Sequence, residues 1–320
     1  MTEEKTLHTT EVRNHWAEID RLEQEIELSK LARPKRNGGV KVKRFISNTA
    51  GHIVLAVLGV IWLIPLIYLV MQSFKKEHVA FSTRFFPQNY TFDNYKELFS
   101  RESWDTGFMK WYGNTLFVSV FSALLTTIFV LMVAYALSHS RFKARKPIMN
   151  VMLILGMFPG FMSMTAIYFL LKALNAPPTL GLILVYSGGA AMSYYVSKGF
   201  FDTIPKSLDE AARIDGASRF RVFCKIILPL SKPIIIYTVL VSFIAPWCDF
   251  IFASLITGAS RADWTVAVGM RDWVNNRSNL NMQFGVFCAA SVVVAVPITG
   301  LFMWLQKYYV QGVTGGAVKG

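Results

Sequence analysis

Between two strongly hydrophobic blocks the chain carries Glu210-Ala211-Ala212-Arg213-Ile214-Asp215-Gly216, followed by Ile226, Leu228 and Pro229. Ser207 and Glu210 have the spacing of a capping box, which predicts that a short helix begins with Ser207 as its cap. Gly216 suits the left-handed conformation that closes such a helix, and Ser218 suits the cap of a second helix that prolines would end. The stretch therefore predicts a helix, a turn and a second helix outside the hydrophobic blocks.

The composition of the whole chain is that of a membrane protein. Of its 320 residues 53% are hydrophobic and 17% are charged, and the mean hydropathy is +0.39. Apolar runs of about 20 residues, the length that crosses a bilayer, recur along the sequence. We predict six spans, at residues 51–74, 111–137, 147–171, 179–198, 233–257 and 284–306.

The basic residues give these spans an orientation. Of the 33 Lys and Arg residues, 23 fall in the segments 1–46, 139–147, 198–232 and 307–320, which six spans place on one side. The positive-inside rule makes that side the cytoplasm. The formal charge of +13 is therefore explained by membrane topology and does not indicate nucleic-acid binding. Both termini and the Glu210 stretch are predicted to be cytoplasmic, in a multi-pass protein of the cell membrane.

Two domains are predicted, a cytoplasmic tail at 1–46 and a transmembrane domain at 47–320. Apolar positions in the tail between Val12 and Ile26 repeat at helical spacing, which indicates an amphipathic helix. Residues 33–44 hold six basic residues and no acid, as expected beside anionic lipid head groups. The tail therefore predicts a contact with membrane lipid.

The Glu210 stretch resembles the cytoplasmic loop in the membrane subunits of bacterial ABC importers. The shared features are Glu-Ala-Ala, a Gly six residues after the Glu, and Ile-x-Leu-Pro beginning ten residues after that Gly. In that family the short helix is the coupling helix, which sits in a groove on the ATP-hydrolysing subunit. The resemblance implies a coupling loop at 201–232, with Ser207, Glu210, Ala211, Ala212, Asp215, Gly216, Ile226, Leu228 and Pro229 as the coupling residues.

Two more segments resemble carbohydrate importers of this kind. Residues 85–99, with a Pro followed by Asn94 and Tyr95, are similar to the external segment between the first two spans; a small cap packed on the helices is the other interpretation. Residues 306–320 look like the ending of the maltose-type permease subfamily, whose tail reaches toward the ATPase pair. The tail 307–320 is predicted to be flexible because of its glycines. The contacts implied there are Gln311, Gly315, Gly316 and Lys319.

Motifs for catalysis are missing from the sequence. It contains no phosphate-binding G-x-x-x-x-G-K-[ST], no H-E-x-x-H and no G-x-S-x-G. The five histidines are scattered, and Cys224, Cys248 and Cys288 have no metal-binding spacing. We therefore predict that the chain is not an enzyme, holds no cofactor or metal, and depends on a partner for ATP hydrolysis.

Asp249 is the single acidic residue within the predicted spans. An ionised group in a span is costly, so Asp249 is expected to face a polar cavity or a bonding partner. Trp247 could stack on a sugar ring while Asp249 accepts hydrogen bonds from hydroxyls; alternatively, Asp249 bonds to a neighbouring helix. Weaker candidates for the substrate path are Met157, Tyr186 and Asn114, for which packing is the alternative.

Together these features predict an all-α polytopic membrane protein with six transmembrane helices and a cytoplasmic coupling helix, similar to the type I ABC importers. The resemblance implies the permease subunit of an ATP-driven importer of a sugar or oligosaccharide. Its implied partners are two ATP-binding subunits, a second permease forming a heterodimer, and an extracytoplasmic solute-binding protein. The alternatives are a secondary transporter driven by an ion gradient and a membrane scaffold without transport.

Overall fold

The computed structural model describes residues 21–27, 38–76, 85–100, 107–140, 142–157, 160–275 and 277–317. Across these ranges the chain is helical, and the extended pairing is limited to one bridge between Lys75 and Tyr90. The prediction of an all-α protein is confirmed. Besides a helical segment at 21–27 and one 3-10 turn at Arg261–Asp263, the helices of the described residues are α1 (Gly38–Ser73), α2 (Asp93–Leu98), α3 (Phe108–His139), α4 (Arg145–Met157), α5 (Gly160–Ala173), α6 (Pro178–Gly188), α7 (Ala191–Asp202), α8 (Lys206–Ile214), α9 (Arg219–Leu230), α10 (Lys232–Cys248), α11 (Ile251–Thr257), α12 (Val266–Asn275) and α13 (Arg277–Ala317).

The helices include enough apolar length for the predicted spans. Four stretches are each long and apolar enough to cross a membrane: Thr49–Ser73, Phe108–His139, Pro178–Asp202 and Phe284–Tyr308. Two bent helix pairs pass the same test together, α4 with α5 at 102° and α9 with α10 at 82°. With each bent pair counted as one span the total is six, which is the predicted number; in the second pair, α10 covers most of the predicted fifth span, while α9 lies in the predicted coupling loop.

Three of the predicted spans are divided in the structure. The third divides between Met157 and Gly160, and the fourth divides at Gly189 and Ala190. In the fifth, predicted at 233–257, the first helix ends at Cys248 and a new helix begins at Ile251. The Asp249 side chain lies at this division and accepts from the Phe252 N–H in the first turn of the new helix.

The chain divides into two units, Met1–Pro65 and Leu66–Gly320. In the first unit the described part is helical, and α1 already begins at Gly38, within the basic flank. The side chains of 49–65 are exposed, as in a helix whose surroundings are lipid or partner. The amphipathic helix predicted between Val12 and Ile26 lies mostly outside the described residues. The domain boundary at residue 46 stays a prediction.

The central helix of the second unit is α3, which packs against α6, α7, α10 and α12. Both α3 and α10 bury small and hydroxyl-bearing side chains, which let helix backbones approach closely in a membrane. Those on α10 bond to their own helix, as Thr238 Oγ1 donates to the Ile234 carbonyl at 2.8 Å. The buried side chains of this kind are Ser119, Ser122, Ala123 and Thr126 on α3, and Thr238 and Ser242 on α10.

The predicted external segment forms a cap on the ends of the helices, as its second interpretation proposed. The Nδ2 of Asn94 donates to the carbonyls of Ser73 and Lys75, at 2.9 and 2.8 Å. The hydroxyl of Tyr95 lies 2.8 Å from Ser73 Oγ. A Cβ atom at Gly285 of α13 would lie 2.5 Å from Asn94 Nδ2, so α13 fits there only without a side chain.

A second close approach allows a stability prediction. A Cβ atom at Gly269 of α12 would lie 1.9 Å from the ring of Trp111, which is buried. We expect Gly269→Ala to lower the free energy of unfolding by about 3 kcal/mol or more, because overpacking moves a ring held by neighbours. Gly113→Ala is the matched control, since a Cβ atom there meets nothing within 4 Å.

The measurement for this pair is the temperature at which the detergent-solubilised chain loses its monodisperse peak in size-exclusion chromatography. Gly113→Ala should hold or raise that temperature, because alanine favours helix over glycine by about 1 kcal/mol. Equal thermal stability of the two variants would contradict the packing described for Trp111.

Candidate functional site: the coupling segment and the Tyr186–Asp249 contact

The short helix α8 begins differently from the prediction. Its cap is Pro205, with φ −59°, and no side-chain hydrogen bond caps it. Ser207 therefore lies inside the first turn, and the predicted capping box with Glu210 is wrong. Because proline holds φ near −65° and the backbone is extended at Pro205, the helix begins at the next residue, Lys206.

The end of α8 has the predicted glycine closure. Gly216 has φ +82°, and its N–H donates to the Arg213 carbonyl at 3.1 Å. The N–H of Ala217 donates to the Ala212 carbonyl at 3.0 Å. This pair of bonds is the Schellman motif, in which a left-handed residue turns the chain sharply away from the helix. Ser218 then caps α9, as predicted, by accepting from the Arg221 N–H at 3.3 Å.

The α8 helix is a projecting surface, with no buried residue. Asp209 and Ala212 are partly buried, whereas Glu210 and Ala211 are exposed. Ile214 is 86% exposed, and on α9 Phe220 is 74% exposed. Large apolar side chains outside the membrane spans that are this exposed indicate a surface that another protein covers.

The α9 helix anchors this surface to the spans through one turn of π-helix, Phe223–Ile227. Pro229 lacks an N–H and its ring would clash with the carbonyl four residues earlier, which a wider turn relieves. Accordingly, the Leu228 N–H donates to the carbonyl of Phe223, five residues earlier. The buried residues that form the anchor cluster are Leu131, Ala134, Phe201, Ile204, Val222, Phe223, Ile227 and Ile234.

The sequence interpretation missed the anchor residues. It chose Ile226 and Leu228, which are only partly buried against the cluster, whereas Phe223 and Ile227 are buried. The four-residue spacing of Phe223 and Ile227 is that of a buried helical face and could have identified them.

A polar cluster at the same end of the spans joins α3, α4 and α7, and was also missed. Asp202 Oδ1 accepts from Ser138 Oγ at 2.6 Å, and Asp202 Oδ2 accepts from Lys198. The Nη2 of Arg145 lies 3.7 Å from Asp202 Oδ1. Three helix ends thus share one carboxylate beside the coupling segment.

Two of the five substrate-path candidates lie together. The hydroxyl of Tyr186 donates to Asp249 Oδ2 at 2.8 Å. Asp249 Oδ1 accepts from the Phe252 N–H at 3.0 Å, at the start of α11. Both side chains are partly buried. The contact therefore connects α6, near its break at Gly189, with the break between α10 and α11.

The other three candidates occupy different environments. Trp247 is 5% exposed and packs against Tyr112 at 5.3 Å, so its ring has no free face for a sugar. That interpretation of Trp247 is wrong in this structure, because α3 covers the ring. Asn114 Nδ2 donates to the carbonyls of Ala262 and Trp264 and so holds the loop between α11 and α12. Met157 is 76% exposed at the end of α4.

The predicted flexible tail is helical as far as the structure describes it. The α13 helix continues through Gln311, Gly315 and Gly316 to Ala317, while Lys319 lies outside the described residues. A glycine destabilises a helix by only about 1 kcal/mol relative to alanine. These glycines therefore do not end α13 where it enters the tail. Over the described part of the chain, no group of three His, Cys, Asp or Glu side chains is placed to hold a metal ion.

Comparison with known proteins assigns the chain to a family. Residues 131–315, more than half of the sequence, match the binding-protein-dependent transport system inner membrane component family. The chain belongs to this family. It is therefore a multi-pass membrane component of a transport system, and the family is not one of enzymes.

Full-length relatives support the maltose-type assignment. The maltodextrin transport system permease protein MalD of Streptococcus pneumoniae is 35% identical, over 89% of this chain and 100% of its own. The galactooligosaccharides transport system permease protein GanQ of Bacillus subtilis is 37% identical, over 88% and 99%. The maltose/maltodextrin transport system permease protein MalG of Escherichia coli K12 is 33% identical, over 88% and 97%.

A solved structure shares the fold. It is a chain from a bacterial ABC transporter involved in the import of the acidic polysaccharide alginate. The TM-score is 0.69 at 22% sequence identity, covering 86% of this chain and 99% of that one. The predicted fold class, a type I-like importer permease, is thus confirmed.

Proposed function

We propose that this chain is the permease subunit of an ATP-driven importer of a sugar or oligosaccharide, and that α8 is its coupling helix. The observation that carries the proposal is a short helix without buried residues, closed by a Schellman motif, that exposes Ile214, while the following helix exposes Phe220 outside the predicted spans. The relatives named for maltodextrin, maltose and galactooligosaccharides support the substrate class.

In this mechanism a groove on an ATP-binding subunit receives the outward face of α8. Closure of two ATP-binding subunits on ATP moves α8, and the anchor cluster passes that movement to α3 and α10. A second permease completes the transmembrane pathway, and alternating access follows from the closing and reopening of the ATPase pair. ATP hydrolysis belongs to those partners and not to this chain, while a solute-binding protein delivers the sugar.

The same proposal includes the other site predictions. Asp249 and Tyr186 lie on the substrate path, where their shared hydrogen bond is partly exposed at two helix breaks. Such breaks free backbone groups that polar substrates or side chains satisfy. The end of α13, with Gln311, Gly315 and Gly316, faces the ATPase pair, and both termini are cytoplasmic.

The test is purification of the tagged chain from its native membrane in mild detergent, with identification by mass of the proteins that accompany it. We expect a second six-span chain and an ATPase with a phosphate-binding loop, and ATP hydrolysis by the complex. If the chain is isolated alone and drives uptake in proteoliposomes under an ion gradient, the secondary transporter replaces the importer.

A further inference from the structure

A shallow, open cavity of about 490 Å³ lies on the surface where α3 ends and α4 begins. It is lined by Phe142, Lys143, Arg145 and Lys146, so every charged group on its wall is positive. Among the described residues, these three cations make a single ion pair, the 3.7 Å contact of Arg145 with Asp202. That carboxylate is shared with Lys198, so the cavity keeps a net positive charge.

The cavity lies where membrane hydrocarbon gives way to polar groups. The α3 helix is a membrane span that ends at His139. Apart from Asn150, the α4 helix is apolar from Ile148 onward, and Ile148, Val151 and Leu155 form one exposed apolar stripe along it. At about 1.5 Å per residue, Lys146 is within about 8 Å of Val151 along the helix. This is the depth of phospholipid head groups.

The start of α4 adds positive potential to the same place. Its first turn contains no acidic residue and begins with Arg145 and Lys146. The N-terminal end of a helix carries a partial positive charge, and cations there repel it. An anion seated among these groups would remove the repulsion and accept hydrogen bonds from the lysines.

We propose that this cavity binds the phosphate of an anionic phospholipid, with the acyl chains lying along the exposed apolar side of α4. Lys143 and Lys146 contact the phosphate, and Phe142, 41% exposed, lies against the part of the acyl chains nearest the head group. A lipid is favoured over a free phosphate compound because the apolar side of α4 continues directly from the cationic wall. Basic pockets between membrane helices bind lipid head groups in this manner.

The experiment measures lipid binding to the purified full-length chain by native mass spectrometry, with phosphatidylglycerol or phosphatidylcholine added to the detergent. The test variant is Lys143→Gln with Lys146→Gln. The control removes two exposed lysines at the other polar end of the spans, Lys110→Gln with Lys172→Gln. We expect the tightest phosphatidylglycerol to bind roughly 30-fold more weakly in the test variant and unchanged in the control.

Three results would overturn the proposal. One is equal affinity for phosphatidylglycerol in the test variant and the unmodified chain. A second is equal loss in the test and control variants, which would mean a general effect of net charge. The third is displacement of the lipid by soluble glycerol phosphate at the affinity of the lipid itself, which would assign the cavity to a soluble phosphate compound. Since all four lysines are exposed, we expect the variants to keep the size-exclusion profile of the unmodified chain.

Discussion

Gly216→Pro is expected to abolish ATP-driven uptake while leaving the chain in the membrane. Proline fixes φ near −65°, whereas Gly216 has φ +82°, and proline also removes the N–H that donates to the Arg213 carbonyl. The turn that sets α8 against α9 cannot form, so movement of a bound ATPase no longer reaches the anchor cluster. We expect the rate of uptake into proteoliposomes to fall on the order of 100-fold.

The matched control at this position is Gly216→Asn. Asparagine keeps the backbone N–H and is the residue after glycine that best tolerates the left-handed region. Uptake by this variant should stay within about threefold of the unmodified chain. Membrane insertion of both variants is checked by their abundance in the membrane fraction. Normal uptake by Gly216→Pro would show that α8 is not the coupling helix.

The second large effect is expected at Asp249. Asp249→Ala removes the acceptor of both the Tyr186 hydroxyl and the Phe252 N–H, and so weakens the start of α11. A hydrogen bond to a charged group contributes about 1.5–3 kcal/mol, so we expect uptake to fall at least about tenfold. The measurement is ATP-driven uptake of a series of malto-oligosaccharides by the reconstituted complex.

Two conservative variants separate the substrate path from packing. Tyr186→Phe removes the bond between α6 and Asp249 but leaves the carboxylate and its cap on α11. Asp249→Asn keeps an acceptor and the side-chain shape but removes the charge. If Asp249 accepts sugar hydroxyls, Asp249→Asn changes the relative rates among sugars of different length. A uniform change across all sugars would instead assign Asp249 to helix packing.

The sequence predicted the coupling segment well where the signal was local. Gly216 and Ser218 have the predicted roles because a left-handed turn and an N-cap depend on a few adjacent residues. The capping box at Ser207 failed because Pro205, two residues earlier, fixed the helix start. Ile214 belongs to the Glu210 stretch, but its exposure depends on how α9 packs and could not be read from the sequence.

The contact of Tyr186 with Asp249 was harder to predict. Asp249 was identified because charge within an apolar span is conspicuous, but its partner Tyr186 is 63 residues away in sequence. Trp247 lies only two residues from Asp249 and faces the core instead, packed on Tyr112. Sequence proximity therefore could not decide which of these aromatic side chains is accessible.

By itself, the sequence determined the all-α membrane class and the helix-turn-helix over residues 206–230. These features depend on hydropathy over about 20 residues and on the backbone preferences of adjacent residues, and both are local properties of the sequence. Only the tertiary structure decided which face of each span is buried, as with the buried Ser122 and Thr126 of α3. In a span that is apolar all round, periodicity does not distinguish a side facing lipid from a side facing protein. The anchor at Phe223, the shared carboxylate of Asp202 and the Tyr186–Asp249 bond all depend on that choice of faces.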